Sequence, residues 1–298
     1  MEVGIAGTGR MGTVLAARLV SLGHRVTVWN RTPERARAAV EAGAVRADRA
    51  SDLARACEAV ISIVSDEAAL DAVYGGSDGL AAGAAAGKLF IDMSTVRPQV
   101  QRRISALVQA TGAGYVECPV GGSVVPARDG KLLGFAGGAA ADVERARPLL
   151  AQLCRRVERL GPIGAGASMK LAINLPLMVY WQALSEALSL VEHLGIDPAR
   201  VVDLLSESSG GPNMLKTRGP AIAQALASRQ AGAVSVDVGT MRKDLRTMLA
   251  EAADLGRDLP VTRMSLTCFD RAADAGKDAA DCTQLPVWWL DKGGAAPR

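Results

Sequence analysis

The sequence predicts an α/β chain: a doubly wound, mostly parallel sheet in the first half, followed by an all-helical second half. Two observations predict it. As far as residue 162, short apolar runs ending in glycine- or serine-rich loops alternate with helical patterns, as in a parallel sheet with crossover helices. After Gly166 the strand signals stop, and five helical segments follow. The predicted domains are therefore 1–162 and 163–298.

Composition narrows the function classes. With 298 residues the chain can form two domains of ordinary size. Hydrophobic residues make up 49%, which argues against disorder, and aromatics only 3%, which leaves the core to Ala, Leu and Val. A net charge of +3 is too small to imply a nucleic-acid surface. Five cysteines without a CxxC pair suit free thiols in a reducing compartment. The start Met1–Ile5 lacks a signal-like run, and Glu186 and Glu192 interrupt the one long apolar stretch, so no membrane contact is expected. A cytoplasmic protein follows. With only His24 and His193, no metal site is expected.

Taken in order, Val3–Ala6 is the first strand, and Gly7-Thr8-Gly9-Arg10-Met11-Gly12 leads from it into a helix. Strand, GxGxxG and helix together mark a Rossmann-type dinucleotide site. Gly7 permits the turn, Gly9 lets a pyrophosphate approach, and Gly12 lets helix and strand pack. The free N–H groups of the helix start face the phosphates. Arg25–Trp29 is the second strand, and Asn30-Arg31-Thr32 stands at its end, where an acid would bind the ribose of NAD. Arg31 can pair with a 2′-phosphate and Thr32 can hydrogen-bond it, so NADP is predicted, with NAD as the alternative.

Ala59–Val64 and Lys88–Asp92 are further buried strands. Their ends place Val64, Ser65 and Thr95 on the cofactor side, although Thr95 equally suits the cap of a helix beginning near Pro98. Tyr115–Cys118 precedes Pro119-Val120-Gly121-Gly122-Ser123, whose backbone N–H groups can cradle a carboxylate or simply form a turn. Lys131–Ala136 and Arg155–Leu160 read as strands around a helix over Ala141–Cys154.

Gly161–Asn174 opens with glycines and enters a long apolar helix over Ser168–Leu194 that contains Pro176. Lys170 and Asn174, four apart, share one face. They read either as a proton donor with an orienting partner, or as a core helix whose lysine reaches water. Helices are predicted at Asp197–Ser208, Gly219–Ala227, Val238–Leu255 and Pro260–Ala275, with a frayed tail from Gly293.

Several segments together resemble the β-hydroxyacid dehydrogenases over nearly the whole chain. Gly7-x-Gly9-x-Met11-Gly12 is similar to that family's cofactor signature. Gly161-x-x-Gly164-x-Gly166-x-x-x-Lys170-x-x-x-Asn174 resembles its catalytic motif, and Lys243-Asp244 its late lysine–aspartate pair. The resemblance implies a small aldehyde- or keto-acid substrate, with Lys170 as general acid and base and Asn174 orienting it. It also implies that Thr95 and Lys243 contact the cofactor, and that Gly121, Gly122 and Ser123 bind the substrate carboxylate. Burial and a neighbouring positive charge are the means by which such a lysine is tuned.

One position departs from the family. Its loop usually reads Pro-Val-Ser-Gly-Gly or Pro-Val-Ser-Gly-Ser, and Gly121 lacks that serine hydroxyl. Ser123 and Pro126–Gly130 look more like the glyoxylate/succinic semialdehyde reductase branch. Imine reductases share the resemblance but generally lack the lysine. A non-catalytic NADP-binding scaffold is the third reading. The Ala- and Leu-rich second half suggests a homodimer or homotetramer.

Overall fold

A computed structural model of the chain describes residues 1–230 and 232–293. The tail expected from Gly293 therefore lies, beyond that residue, outside the described residues. The chain divides into two units, Met1–Ala172 and Ile173–Arg298.

The first unit holds nine strands: β1 Glu2–Ala6, β2 Arg25–Trp29, β3 Val45–Arg46, β4 Ala59–Ser62, β5 Leu89–Asp92, β6 Gly114–Glu117, β7 Val120–Gly121, β8 Leu132–Gly138 and β9 Cys154–Gly161. Their order is β3-β2-β1-β4-β5-β6-β8-β7, with β9 beside β8. Strands β3 to β6 run parallel. Strand β8 is antiparallel to β6, because a loop and the short helix Val124–Arg128 return the chain without a full crossover.

Alternate strand residues feed two cores, as a two-unit side-chain period requires. Ile5, Ile61, Ile91 and Val116 join Leu15, Leu19, Leu149 and Leu150 from helices on one face. Val60, Phe90 and Tyr115 join Leu53, Leu70, Tyr74 and Ile104 on the other. The unit is thus covered on both faces, in the doubly wound manner.

The second unit contains no named strand among the described residues and is built of helices. The long helix Ala165–Ser189 starts in the first unit. The others include Pro198–Glu207, Asn213–Ser228, Val238–Asp254 and Pro260–Ala272. Three expectations change. The helix expected from Gly219 begins at Asn213, so Pro220 lies inside it rather than at its start. The long helix ends at Ser189, and Met169, Ile173 and Leu190 are exposed, so it is not buried all round. The N-cap position of the helix beginning at Pro98 is held by Arg97, without a side-chain cap, rather than by Thr95.

Candidate active site

The parallel strands end in register. Ala6 pairs with Trp29 and with Ser62, Ser62 with Asp92, and Asp92 with Glu117. One row of residues therefore forms the carboxyl edge of the sheet. The loops that leave it carry Gly7–Gly12, Asn30–Thr32, Val64–Ser65, Thr95 and the Pro119–Ser123 segment. In open α/β sheets this edge is where ligands bind.

The glycine turn has the space its spacing implies. Gly7 has φ +101°, and a side chain there would meet the carbonyl oxygen of Ile63 at 2.2 Å. At Gly12 a Cβ would stand 1.9 Å from the carbonyl oxygen of Gly7. Gly9 faces open space, with nothing within 4 Å of its missing side chain. The helix Arg10–Ser21 that starts here has no capping side chain and no acid in its first turn. Its N–H groups and positive dipole end suit an anionic pyrophosphate. Arg10 is exposed, Met11 packs against the core, and Thr8 is buried.

Asn30 plays a part its spacing did not disclose. Its Oδ1 accepts from the Thr8 amide at 3.1 Å, and its Nδ2 donates to the Thr32 carbonyl at 2.9 Å. The side chain thus ties the glycine turn to the end of β2. Arg31 and Thr32 beside it are exposed, so the guanidinium can meet a phosphate from solvent.

A buried network stands behind the next two loops. Asp92 accepts from Ser62 Oγ at 2.5 Å, Gln101 Nε2 at 2.7 Å, and both the amide and the hydroxyl of Ser94 at 3.1 and 3.0 Å. Ser94 Oγ in turn accepts from the Val64 amide at 3.0 Å. Tyr115 donates to Gln101 at 2.7 Å. Burial pushes the Asp92 carboxyl up, partly offset by these donors. Val64 is thereby pinned to the loop that holds half-buried Thr95. Ser65 is exposed and donates to Asp66, whose other oxygen caps the next helix at Ala69.

Glu117 ends β6, fully buried. Its Oε1 accepts from the amides of Gly164 at 2.6 Å and Gly166 at 2.8 Å. Burial raises this carboxyl to about 7 against those donors. Gly121 is half-buried and Gly122 has φ +119°, where a side chain would be strained. Ser123 opens the helix Val124–Arg128 without a side-chain cap.

Lys170 and Asn174 lie in the first turns of the helix Ala165–Ser189, and both are buried, 8% and 7% exposed. In the helical unit Asn174 Nδ2 donates to Asp244 Oδ2 at 3.1 Å. Lys243 Nζ lies 2.5 Å from Asp244 Oδ1. Asp244, also buried, therefore holds the Asn174 amide and the Lys243 ammonium on its two oxygens.

Residues 2–161 match the family described as the NAD binding domain of 6-phosphogluconate dehydrogenase. Residues 164–288 match that described as the NAD-binding region of NADP-dependent 3-hydroxyisobutyrate dehydrogenase. Over 297 residues the chain is 34% identical to 3-hydroxyisobutyrate dehydrogenase of Pseudomonas aeruginosa, covering 98% of this chain and 99% of that one. The chain belongs to the β-hydroxyacid dehydrogenase family.

A second member, glyoxylate/succinic semialdehyde reductase 1 of Arabidopsis thaliana, is 32% identical over 276 residues, 93% of this chain and 94% of its own. The solved structure of 3-hydroxyisobutyrate dehydrogenase from Mycobacterium tuberculosis with L-serine matches with a TM-score of 0.83 at 26% identity, over 96% and 98% of the two chains. As a β-hydroxyacid dehydrogenase, this chain is an NAD(P)-dependent oxidoreductase.

Asp92, Ser94 and Glu117 went unweighed in the sequence, where each is only a strand end or its neighbour. A signal was present. An acid closing an otherwise apolar buried strand is costly unless it meets donors, so both acids mark a hydrogen-bonded site.

Proposed function

We propose that the chain is an NADP-dependent reductase of small aldehyde- or keto-acids, working through Lys170. The observation that carries the reading is Lys170 itself: a buried ammonium on the helix that also presents Asn174, whose amide is held by Asp244. A buried lysine with an ordered amide one turn away suits the transfer of one proton to a defined atom.

NADPH, when bound, supplies the hydride to the carbonyl carbon. The open space at Gly9, the uncapped helix start and Arg31 fit the pyrophosphate and the 2′-phosphate. Thr8, Gly7–Gly12, Asn30–Thr32, Val64, Ser65 and Thr95 form the cofactor side, and the family resemblance assigns Lys243 to the cofactor as well. Lys170 gives its Nζ proton to the substrate carbonyl oxygen in reduction and takes it back from the hydroxyl in oxidation. Asn174 orients the oxygen and the lysine. The N–H groups of Gly122 and Ser123, with Gly121, bind the carboxylate. Residues 1–162 form the cofactor domain and 163–298 the substrate and oligomerisation domain.

Exposed Leu190, Leu194, Ile196, Val261 and Met264 of the helical unit support a homodimer or homotetramer. Five free, buried cysteines support residence in the reducing cytoplasm. No helix of the described residues is long and apolar enough to cross a membrane.

The test is NADPH oxidation against glyoxylate, succinic semialdehyde, a branched 3-oxo acid and a cyclic imine, with NADH in parallel. Turnover of an acid, lowered on the order of 100-fold or more in Lys170→Ala, is the expected result. Preference for NADPH should fall in Arg31→Ala. Turnover of the imine alone would replace the acid reading with an imine reductase.

A further inference from the structure

We propose that Glu117 is a positioning residue for Lys170, capping from a distant strand the helix that carries the lysine. The inference rests on Lys170 as the proton carrier.

The start of that helix lacks the side chain it needs. Helix Ala165–Ser189 follows Gly164, and a glycine has no side-chain oxygen to accept from the first free N–H groups. Glu117, 47 positions upstream, supplies it, accepting from the Gly164 and Gly166 amides with one oxygen. The Ala167 amide adds to the same field. An acid here also meets the positive end of the helix dipole.

The glycines of the motif fit this contact. A side chain at Gly166 would stand 2.1 Å from the Phe135 carbonyl oxygen and 3.3 Å from Glu117 Oε1. A side chain at Gly137, across the sheet, would meet Glu117 Oε1 at 2.2 Å and the Pro162 carbonyl oxygen at 2.8 Å. Gly137 and Gly166 thus leave the space that the carboxyl occupies. Gly166 lies four residues before Lys170, so the grip acts one helical turn below the lysine, on its own face. Glu117 also lies two residues before Pro119, where the proposed substrate loop begins. One side chain therefore fixes the helix start against the segment that leads into that loop.

The experiment compares Glu117→Gln, Glu117→Asp and Lys170→Ala with the wild-type enzyme. For each we would measure kcat and KM for the best acid substrate, the Kd for NADPH, the solvent deuterium isotope effect on kcat, and the melting temperature. Assayed at pH 8, where the carboxyl raised to about 7 is mostly ionised, Glu117→Gln keeps the shape and an acceptor oxygen but removes the charge. Its kcat should fall ten- to a hundredfold, the order expected when a catalytic group is displaced by a fraction of an ångström to an ångström. The Kd for NADPH should change less than about threefold, and the solvent isotope effect should rise as proton transfer slows. Glu117→Asp keeps the charge but shortens the reach, and should fall between. It carries the test if the glutamine variant does not fold.

A Glu117 variant with wild-type kcat, or one whose activity falls only with its folded fraction at an unchanged isotope effect, overturns the proposal. If Lys170→Ala is inactive at the same time, the proposal fails alone. If Lys170→Ala retains full turnover, the proton assignment fails and takes this inference with it.

Discussion

A serine side chain has room at Gly121. Its Cβ would meet the Phe135 ring at 3.4 and 3.5 Å and Leu133 Cβ at 3.6 Å, ordinary contact distances. Packing therefore does not demand a glycine here. Gly121→Ser is expected to fold with a stability within about 0.5 kcal/mol of wild type. It should also lower KM for carboxylate substrates several-fold while leaving kcat nearly unchanged. Urea unfolding and steady-state kinetics on the acid panel check both parts, and a raised KM would mean that the loop does not hold the carboxylate. The cysteines carry no comparable chemistry. Burial lifts Cys57 to about 11 and Cys154 and Cys282 to about 12, so little of any of them is thiolate near neutral pH.

Between elements, the contacts that matter join one strand end to the next. Ser94 is the link between the β4 and β5 loops, since its hydroxyl accepts from the Val64 amide and donates to Asp92. Ser94→Ala would leave the part-buried Val64 N–H without its acceptor and take from Asp92 Oδ2 one of its two donors, Ser62 remaining. A loss of about 1–3 kcal/mol is expected in urea unfolding, together with a higher Kd for NADPH. An unchanged Kd would show that Val64 and Ser65 do not touch the cofactor. Much of this level was legible in the sequence. The strands at β1, β2, β5 and β6 follow from apolar runs ending near glycine, asparagine, serine or proline. The two-residue β3 and β7 do not, because two residues carry no period. The Asn213 helix start was hidden behind Gly219-Pro220. The bonds from Asn30 to Thr8, from Ser62 to Asp92 and from Gly166 to Glu117 span 22 to 49 residues of chain, too far for any local pattern to report.

For the whole molecule, the buried acids set a pH dependence. Glu117 titrates near 4.5 when the chain is unfolded and at about 7 when folded. Between those values the folded protein holds a proton that the unfolded chain has released. Its contribution to stability is thus full below about 4.5 and is lost as the pH rises through about 7. Asp92 is raised too and acts in the same direction. The Glu117 share is at most about 3 kcal/mol. Glu117→Gln should therefore lose less stability than wild type between pH 5 and pH 8, which urea unfolding at the two pH values measures directly. Parallel changes in the two proteins would place the folded carboxyl near its ordinary value.

The reach from Glu117 to Gly164 also makes the helix start depend on a distant part of the chain. As the chain leaves the ribosome, β6 emerges well before the glycine turn, and that turn brings no cap of its own. The first turn of the Lys170 helix has its acceptor only where it lies against the end of β6. The first turn of the helix that carries Lys170 is thus completed by a side chain 47 residues earlier in the chain.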